Sequence, residues 1–283
     1  MSRFRMRAQA GFGLIELMIA LVLGLLVMGA AFAVFQSNQS TFRANEGINR
    51  IQEGARVAFE LMSRDIRAAG GSACSGSSVV ESSDATSLAY RDAPVAGSGT
   101  ELTVMSGDDA AYRVVSSDAS SVTIELPAGM TSAADAFKAK DVLLLCNARK
   151  TFIVEADSVG TKTITFTSAL PEDYIPTSDD LGPPASVVIA RLRSVRWRVV
   201  GNQLMVSRFG GADEAVTDGV QSMTLSYLQR GNTAYVAAPT DWNNVVAVRI
   251  GMTLNGQFRD LDGASQNITR TVSNTVSLRS RTL

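Results

Sequence analysis

The sequence predicts an α+β fold: one long N-terminal helix followed by a β-rich C-terminal head. Three observations predict it. Residues 12–35 form an apolar run behind a short leader that carries Arg3, Arg5 and Arg7. Beyond Phe35 the chain turns polar yet keeps apolar residues at helical spacing as far as Gly70 and Gly71. From Ser72 onward the pattern changes to short alternating runs of Val, Ile, Thr and Tyr separated by Gly, Asp, Ser and Pro, the mark of strands and turns. The organisation is therefore a basic leader (1–11), an apolar membrane helix (12–35), an amphipathic helix (36–70) and a β-rich head (71–283).

As a helix the first apolar run is about 36 Å long, at roughly 1.5 Å per residue, enough to span a bilayer with some tilt. A secretory signal has a shorter apolar stretch, with its small-residue cleavage site after that stretch. Here the small residue, Gly11, stands before it. The leader arginines place the N-terminus in the cytoplasm and the rest of the chain beyond the membrane. One carboxylate, Glu16, interrupts the run near its start. A charge in a membrane segment is costly when alone, which marks it as a functional residue. Gly24, Gly29, Ala30, Ala31 and Ala33 offer small surfaces for close helix approach.

The run Gly11-Phe12-Gly13-Leu14-Ile15-Glu16-Leu17-Met18-Ile19-Ala20 resembles the prepilin signature of type IV pilins and type II secretion pseudopilins. The resemblance implies a type IV pilin-like fold and cleavage by a prepilin peptidase between Gly11 and Phe12. It also implies N-methylation of Phe12 and an assembly role for Glu16. Gly13 stands where that family usually has Thr or Ser. The new α-amine at Phe12 and the carboxylate of Glu16, four positions on, would lie in one narrow band of the helix. In a filament of packed spans, Glu16 would pair with the amine of a neighbouring subunit, so that two charges too costly singly are tolerated together.

In the second half of the helix, Phe42, Ile48, Ile51, Ala55, Phe59, Met62 and Ile66 recur three, four or multiples of those positions apart. Arg43, Glu46, Arg50, Glu53, Arg56, Glu60, Arg64, Asp65 and Arg67 occupy the intervening positions, which predicts a charged outer face. Gly70 and Gly71 are the stop, with Arg67 in the last turn. The segment from Ile48 to Gly70, with Cys74 beyond it, is similar to the post-span region of the PilW group of minor pilins. That likeness rests on Gln52-Glu53-Gly54-Ala55-Arg56 and Asp65-Ile66-Arg67-Ala68-Ala69-Gly70.

In the head, strands are expected at 87–90, 101–105, 112–116, 121–126, 141–146, 151–155, 163–167, 186–200, 203–207, 222–228, 245–254 and 271–279. Gly201-Asn202 reads as a two-residue hairpin turn, and 75–107 and 171–184 read as exposed loops. The runs at 219–228 and 245–250, with Trp242 and the closing strand, look like the heads of J-type pseudopilins and PilW minor pilins. Cys74 and Cys146 are the only cysteines, and the orientation puts both in an oxidising compartment. A disulfide closing about 73 residues is the natural reading, and two buried free thiols are the alternative.

Composition limits the chemistry. The chain has no histidine, which removes Ser-His-Asp, Cys-His and His-rich zinc sites. The formal net charge is −1, and −4 without the three leader arginines, which argues against nucleic acid as a partner. Asp108-Asp109, Asp179-Asp180 and Asp260-Leu261-Asp262-Gly263 are acidic but lack the spacing of a twelve-residue calcium loop, and read as turns. The arginines from Arg191 to Arg198 read as one solvated strand face, with a basic stripe as the alternative. Asn267-Ile268-Thr269 matches a glycosylation sequon, silent in a bacterium. No enzyme activity, cofactor or metal is expected.

The expected function is that of a minor pilin in type IV pilus assembly, in a priming or tip complex. Its expected partners are other minor pilins, the major pilin, the prepilin peptidase and N-methyltransferase, and the inner membrane. It would begin as a single-pass inner-membrane precursor with a periplasmic head and end in the pilus. The alternatives are a J-type pseudopilin of a type II secretion system and a signal-anchored periplasmic binding protein that never polymerises.

Overall fold

The computed structural model describes residues 13–74, 78–80, 84–172, 175–181, 187–259 and 265–281. Its order is one long helix, α1 (Leu14–Ala68), followed by a head of fourteen described strands with two short helices. Two compact units divide the chain: 1–50 with 256–268, and 51–255 with 269–283.

In the first unit, α1 begins with Leu14, and the Gly13 carbonyl accepts from the Glu16 and Leu17 amides at 3.0 and 3.2 Å. Its large apolar side chains from Leu14 to Phe35 are exposed, Leu14 by 81% and Phe35 by 57%. Such a surface has no stable place in water; among the described residues this is the one helix long and apolar enough to cross a membrane. Arg50 and Glu46 pair at 2.8 Å one helical turn apart.

In the second unit the last turns of α1 bury Ile51, Ala55, Ala58, Met62 and Ile66, and Ala69 just beyond the helix continues this stripe at steps of three and four. Gly70 ends the helix with φ +67°, a conformation that glycine adopts without steric cost. The Gly71 amide returns to the Ala68 carbonyl at 2.9 Å.

The larger sheet contains β1 (Val79–Val80), β2 (Val95–Ser98), β3 (Glu101–Ser117), β4 (Ser121–Ile124), β5 (Val142–Cys146), β6 (Lys150–Val159), β7 (Thr163–Phe166), β8 (Val188–Val200), β9 (Gln203–Arg208) and β10 (Glu214–Asp218). Its order is β10-β9-β8-β5-β6-β7-β4-β3-β2, and β3 also pairs with β8. That extra pairing closes β8, β5, β6, β7, β4 and β3 into a ring of antiparallel neighbours. Closure removes strand edges and wraps one core around Val114, Ile124, Phe137, Leu143, Ile164 and Ile189. The first half of β8 pairs with β5 and its second half with β9, so β9 and β10 branch away from the ring.

The smaller sheet contains β11 (Val220–Gln229), β12 (Tyr235–Val236), β13 (Val245–Arg259) and β14 (Ser265–Ser277), in the order β12-β11-β13-β14. Within the second unit β11 and β13 run antiparallel and bury Met223, Leu225, Tyr227, Val248, Ile250 and Met252. The Tyr227 hydroxyl donates to the Gly97 carbonyl at 2.9 Å, which joins this sheet to β2.

Several expectations need correction. The strand expected at 87–90 is part of a helix, α2 (Ala85–Asp92), because Asp84 caps it by accepting from the Thr86 and Ser87 amides at 3.0 Å. The segment 75–107 is not only loop, since it holds β1, α2, β2 and the start of β3, and 171–184 holds a short helix, α3 (Ser178–Leu181). The strands expected at 101–105 and 112–116 are one strand, β3, whose register against β8 jumps between Gly107 and Ala111. That bulge absorbs the Asp108-Asp109 turn signal without ending the strand. Asn202 adopts φ +63° and Gly201 φ +57°, as a primed two-residue hairpin between β8 and β9 requires.

Candidate processing and assembly segment

The site expected at the N-terminus divides at the helix start. Gly11 and Phe12 lie outside the described residues. Glu16 falls in the first turn of α1, the only acidic residue there, and is exposed. Among the described residues no cation pairs with it. The arrangement places one carboxylate on an otherwise apolar stretch of helix.

The head contains the second expected pair. Cys74 and Cys146 are joined, with S–S 1.99 Å and Cα–Cα 6.0 Å. Cys146 ends β5 and Cys74 lies just beyond the glycines that stop α1, so the bond fastens the exit of the helix to the ring of strands. Beside it a cavity of about 40 Å³ is lined by Leu145, Cys146, Asn147 and Phe152, among others. That volume suits a water molecule; a cofactor site needs roughly 300 Å³ or more.

Neither reading of the arginine strand holds. Arg193 is only 14% exposed, and its Nη2 lies 2.6 Å from Asp65 Oδ1 on α1. Trp197, fully buried, donates from Nε1 to Asp65 Oδ2 at 2.9 Å. Arg191 pairs with Asp141 at 3.1 Å and stacks over the Phe209 ring. Arg196 and Arg198 share Asp213. Every arginine of the strand thus has an acidic partner supplied from another element. Burial pushes the Asp65 carboxyl above the usual carboxylate range, against the opposing pull of Arg193 and the Trp197 N–H.

The acidic doublets are turn and pairing residues. Asp109 pairs with Arg64 at 2.9 Å, and Asp180 accepts from the Thr177 amide and hydroxyl at 3.0 and 2.8 Å. The cluster at 260–263 lies outside the described residues. Among the described residues no group of three or more His, Cys, Asp or Glu could hold a metal ion.

With this geometry in place, comparison with known families matches the prokaryotic N-terminal methylation motif over residues 6–32. The chain carries that motif. It covers the end of the leader from Met6, the Gly11/Phe12 junction, Glu16 and most of the apolar run. The motif and the apolar helix support a membrane-anchored, single-pass, pilin-like protein. No curated protein and no solved structure matches the chain.

The Asp65, Arg193 and Trp197 cluster was hidden at the level of sequence. Asp65 stood in the charged outer face and the other two in a strand 128 to 132 residues away. The one available signal was the position of Asp65, which directly precedes the core residue Ile66 and follows Met62 by three.

Proposed function

We propose that this protein is a minor pilin that takes part in type IV pilus assembly. Prepilin peptidase cuts between Gly11 and Phe12, Phe12 is N-methylated, and α1 passes from the inner membrane into the core of a filament. There the Glu16 carboxylate pairs with the α-amine of a neighbouring subunit. The head stays on the periplasmic side and then on the pilus surface, where it meets other minor pilins. The observation that carries this reading is the methylation motif over 6–32, with Glu16 as the lone carboxylate in the exposed apolar stretch of α1.

Two charges that meet in lipid are bound to each other, because each alone carries a large desolvation cost. Such a pair sets the axial register of one subunit on the next as well as the affinity. Glu16→Ala is expected to leave processing and head folding unchanged and to abolish assembly. Filaments of normal abundance and composition from this variant would overturn the pairing mechanism.

A second reading is a J-type pseudopilin, because the runs 219–228 and 245–250 and Trp242 look like the heads of J-type pseudopilins as well as of PilW minor pilins. It uses the same processing and pairing. Deletion separates the two: loss of surface pili with normal protein export supports the minor pilin, and the reverse supports the pseudopilin.

A further inference from the structure

The 3-10 turn Arg279–Arg281 follows β14 and touches three elements that are distant in sequence. Ser280 Oγ donates to the Ala69 carbonyl at 2.7 Å, one of the carbonyls that α1 leaves unbonded at its end. Arg281 Nη2 donates to the Arg91 and Asp92 carbonyls at 2.8 and 3.2 Å, the last two residues of α2. Its Nη1 donates to the Trp242 carbonyl at 3.3 Å, beside the smaller sheet, and Arg230 Nη2 returns to the Arg281 carbonyl at 2.7 Å. A guanidinium over helix-terminal carbonyls also meets the negative end of the α2 dipole. The fit is tight: a Cβ on Gly70 would lie 3.0 Å from Ser280 Oγ and 3.1 Å from Pro94.

All of these links run from three side chains, Ser280, Arg281 and Arg230, to backbone carbonyls. The barrel strands, in contrast, are held by ladders of backbone hydrogen bonds and a shared core. A joint that relies on side-chain hydrogen bonds and is partly open to water belongs among the elements that open first. Ser280 also lies 211 residues after Ala69, so the end of α1 is coupled to this turn only after the whole intervening head has been made.

We propose that Ser280 and Arg281 form a clasp, a conformational device that couples the end of α1 to α2 and the smaller sheet and opens while the barrel stays folded. The proposal concerns the head alone, so its test needs no assumption about filaments.

The test is native-state hydrogen exchange on the purified, detergent-solubilised full chain, comparing the native protein with Arg281→Ala and Arg281→Lys. The informative amides are Gly70, bonded to Met105 O, Gly71, bonded to Ala68 O, and Ala93, bonded to Ala89 O. Arg281→Ala is expected to speed their exchange at least tenfold and to leave the β5 and β6 amides unchanged. Arg281→Lys, which keeps the charge but not the fork of donors, falls between. Unchanged exchange at all three amides would overturn the clasp. Equal acceleration in β5 and β6 would overturn it too, since Arg281 would then act on global stability alone.

Discussion

The Trp197 indole of β8 donates its only hydrogen bond to Asp65 of α1, at 2.9 Å, while Arg193 holds the other oxygen of the same carboxylate at 2.6 Å. One buried acid thus fixes the amphipathic end of α1 to the strand that belongs to both the barrel and its β9–β10 branch. A buried pair of this kind adds little net stability, because desolvation offsets attraction, but breaking it is costly. Asp65→Ala is therefore expected to destabilise the head by about 3–5 kcal/mol, the usual cost of an uncompensated buried charge. Asp65→Leu combined with Arg193→Met is expected to recover most of that loss. Chemical denaturation of the single and double variants measures both.

Asp65 also predicts a pH dependence. Its carboxyl is raised above the ordinary value near 3.8 in the folded head. The native state therefore binds a proton that the unfolded chain has released, over the window between the two values. Stability from this group is present below that window and falls as pH rises through it. Relative to Asp65→Asn, the native protein should gain stability on acidification from neutral pH to about pH 4, just above the unfolded-chain value of about 3.9. Denaturation midpoints for both proteins across that range check the sign, and a gap that stays constant would count against it.

Gly54 lies in the half of α1 that belongs to the head, and a Cβ there would lie 2.5 Å from Thr217 Oγ1 on β10. Ala in place of Gly inside a helix ordinarily gains about 1 kcal/mol. Here overpacking is expected to reverse the sign and cost about 1–3 kcal/mol. Thr217→Ala removes the obstructing hydroxyl, so the double variant should show the helix gain that the single variant hides. Thermal unfolding of the four proteins completes the cycle.

The Cys74–Cys146 bond closes a loop with a sequence separation of 72. On the chain-entropy account its removal costs about 4 kcal/mol. Replacing both cysteines with serine is expected to lower the unfolding free energy from chemical denaturation by about that amount, and reductant should then have no further effect on the variant.

Local signals were legible in the sequence and partnerships were not. The helix stop at Gly70-Gly71 and the Gly201-Asn202 hairpin could be read because the needed φ > 0 backbone leaves its mark in residue type. The exposed apolar half of α1 could be read from length alone. The strand expected at 87–90 failed because Ser-Leu-Ala-Tyr alternates like a strand, while the Asp84 cap that makes it helical lies three residues earlier. Asp108-Asp109 suggested a break where β3 only bulges, since the pairing of β8 on both flanks carries the strand through. The arginines of β8 looked solvated because Asp65, Asp141 and Asp213 reach them only after folding. Closure of the barrel depends on β3 meeting both β4 and β8, a long-range pairing that no local pattern encodes.

The account rests on what happens at Gly11 and Phe12, and mass analysis of the mature N-terminus tests it most directly. It predicts a chain that begins at Phe12 and carries one methyl group on its α-amine, with Glu16 as the fifth residue. An intact Met1, or a chain cut after the apolar run that ends at Phe35, would contradict it.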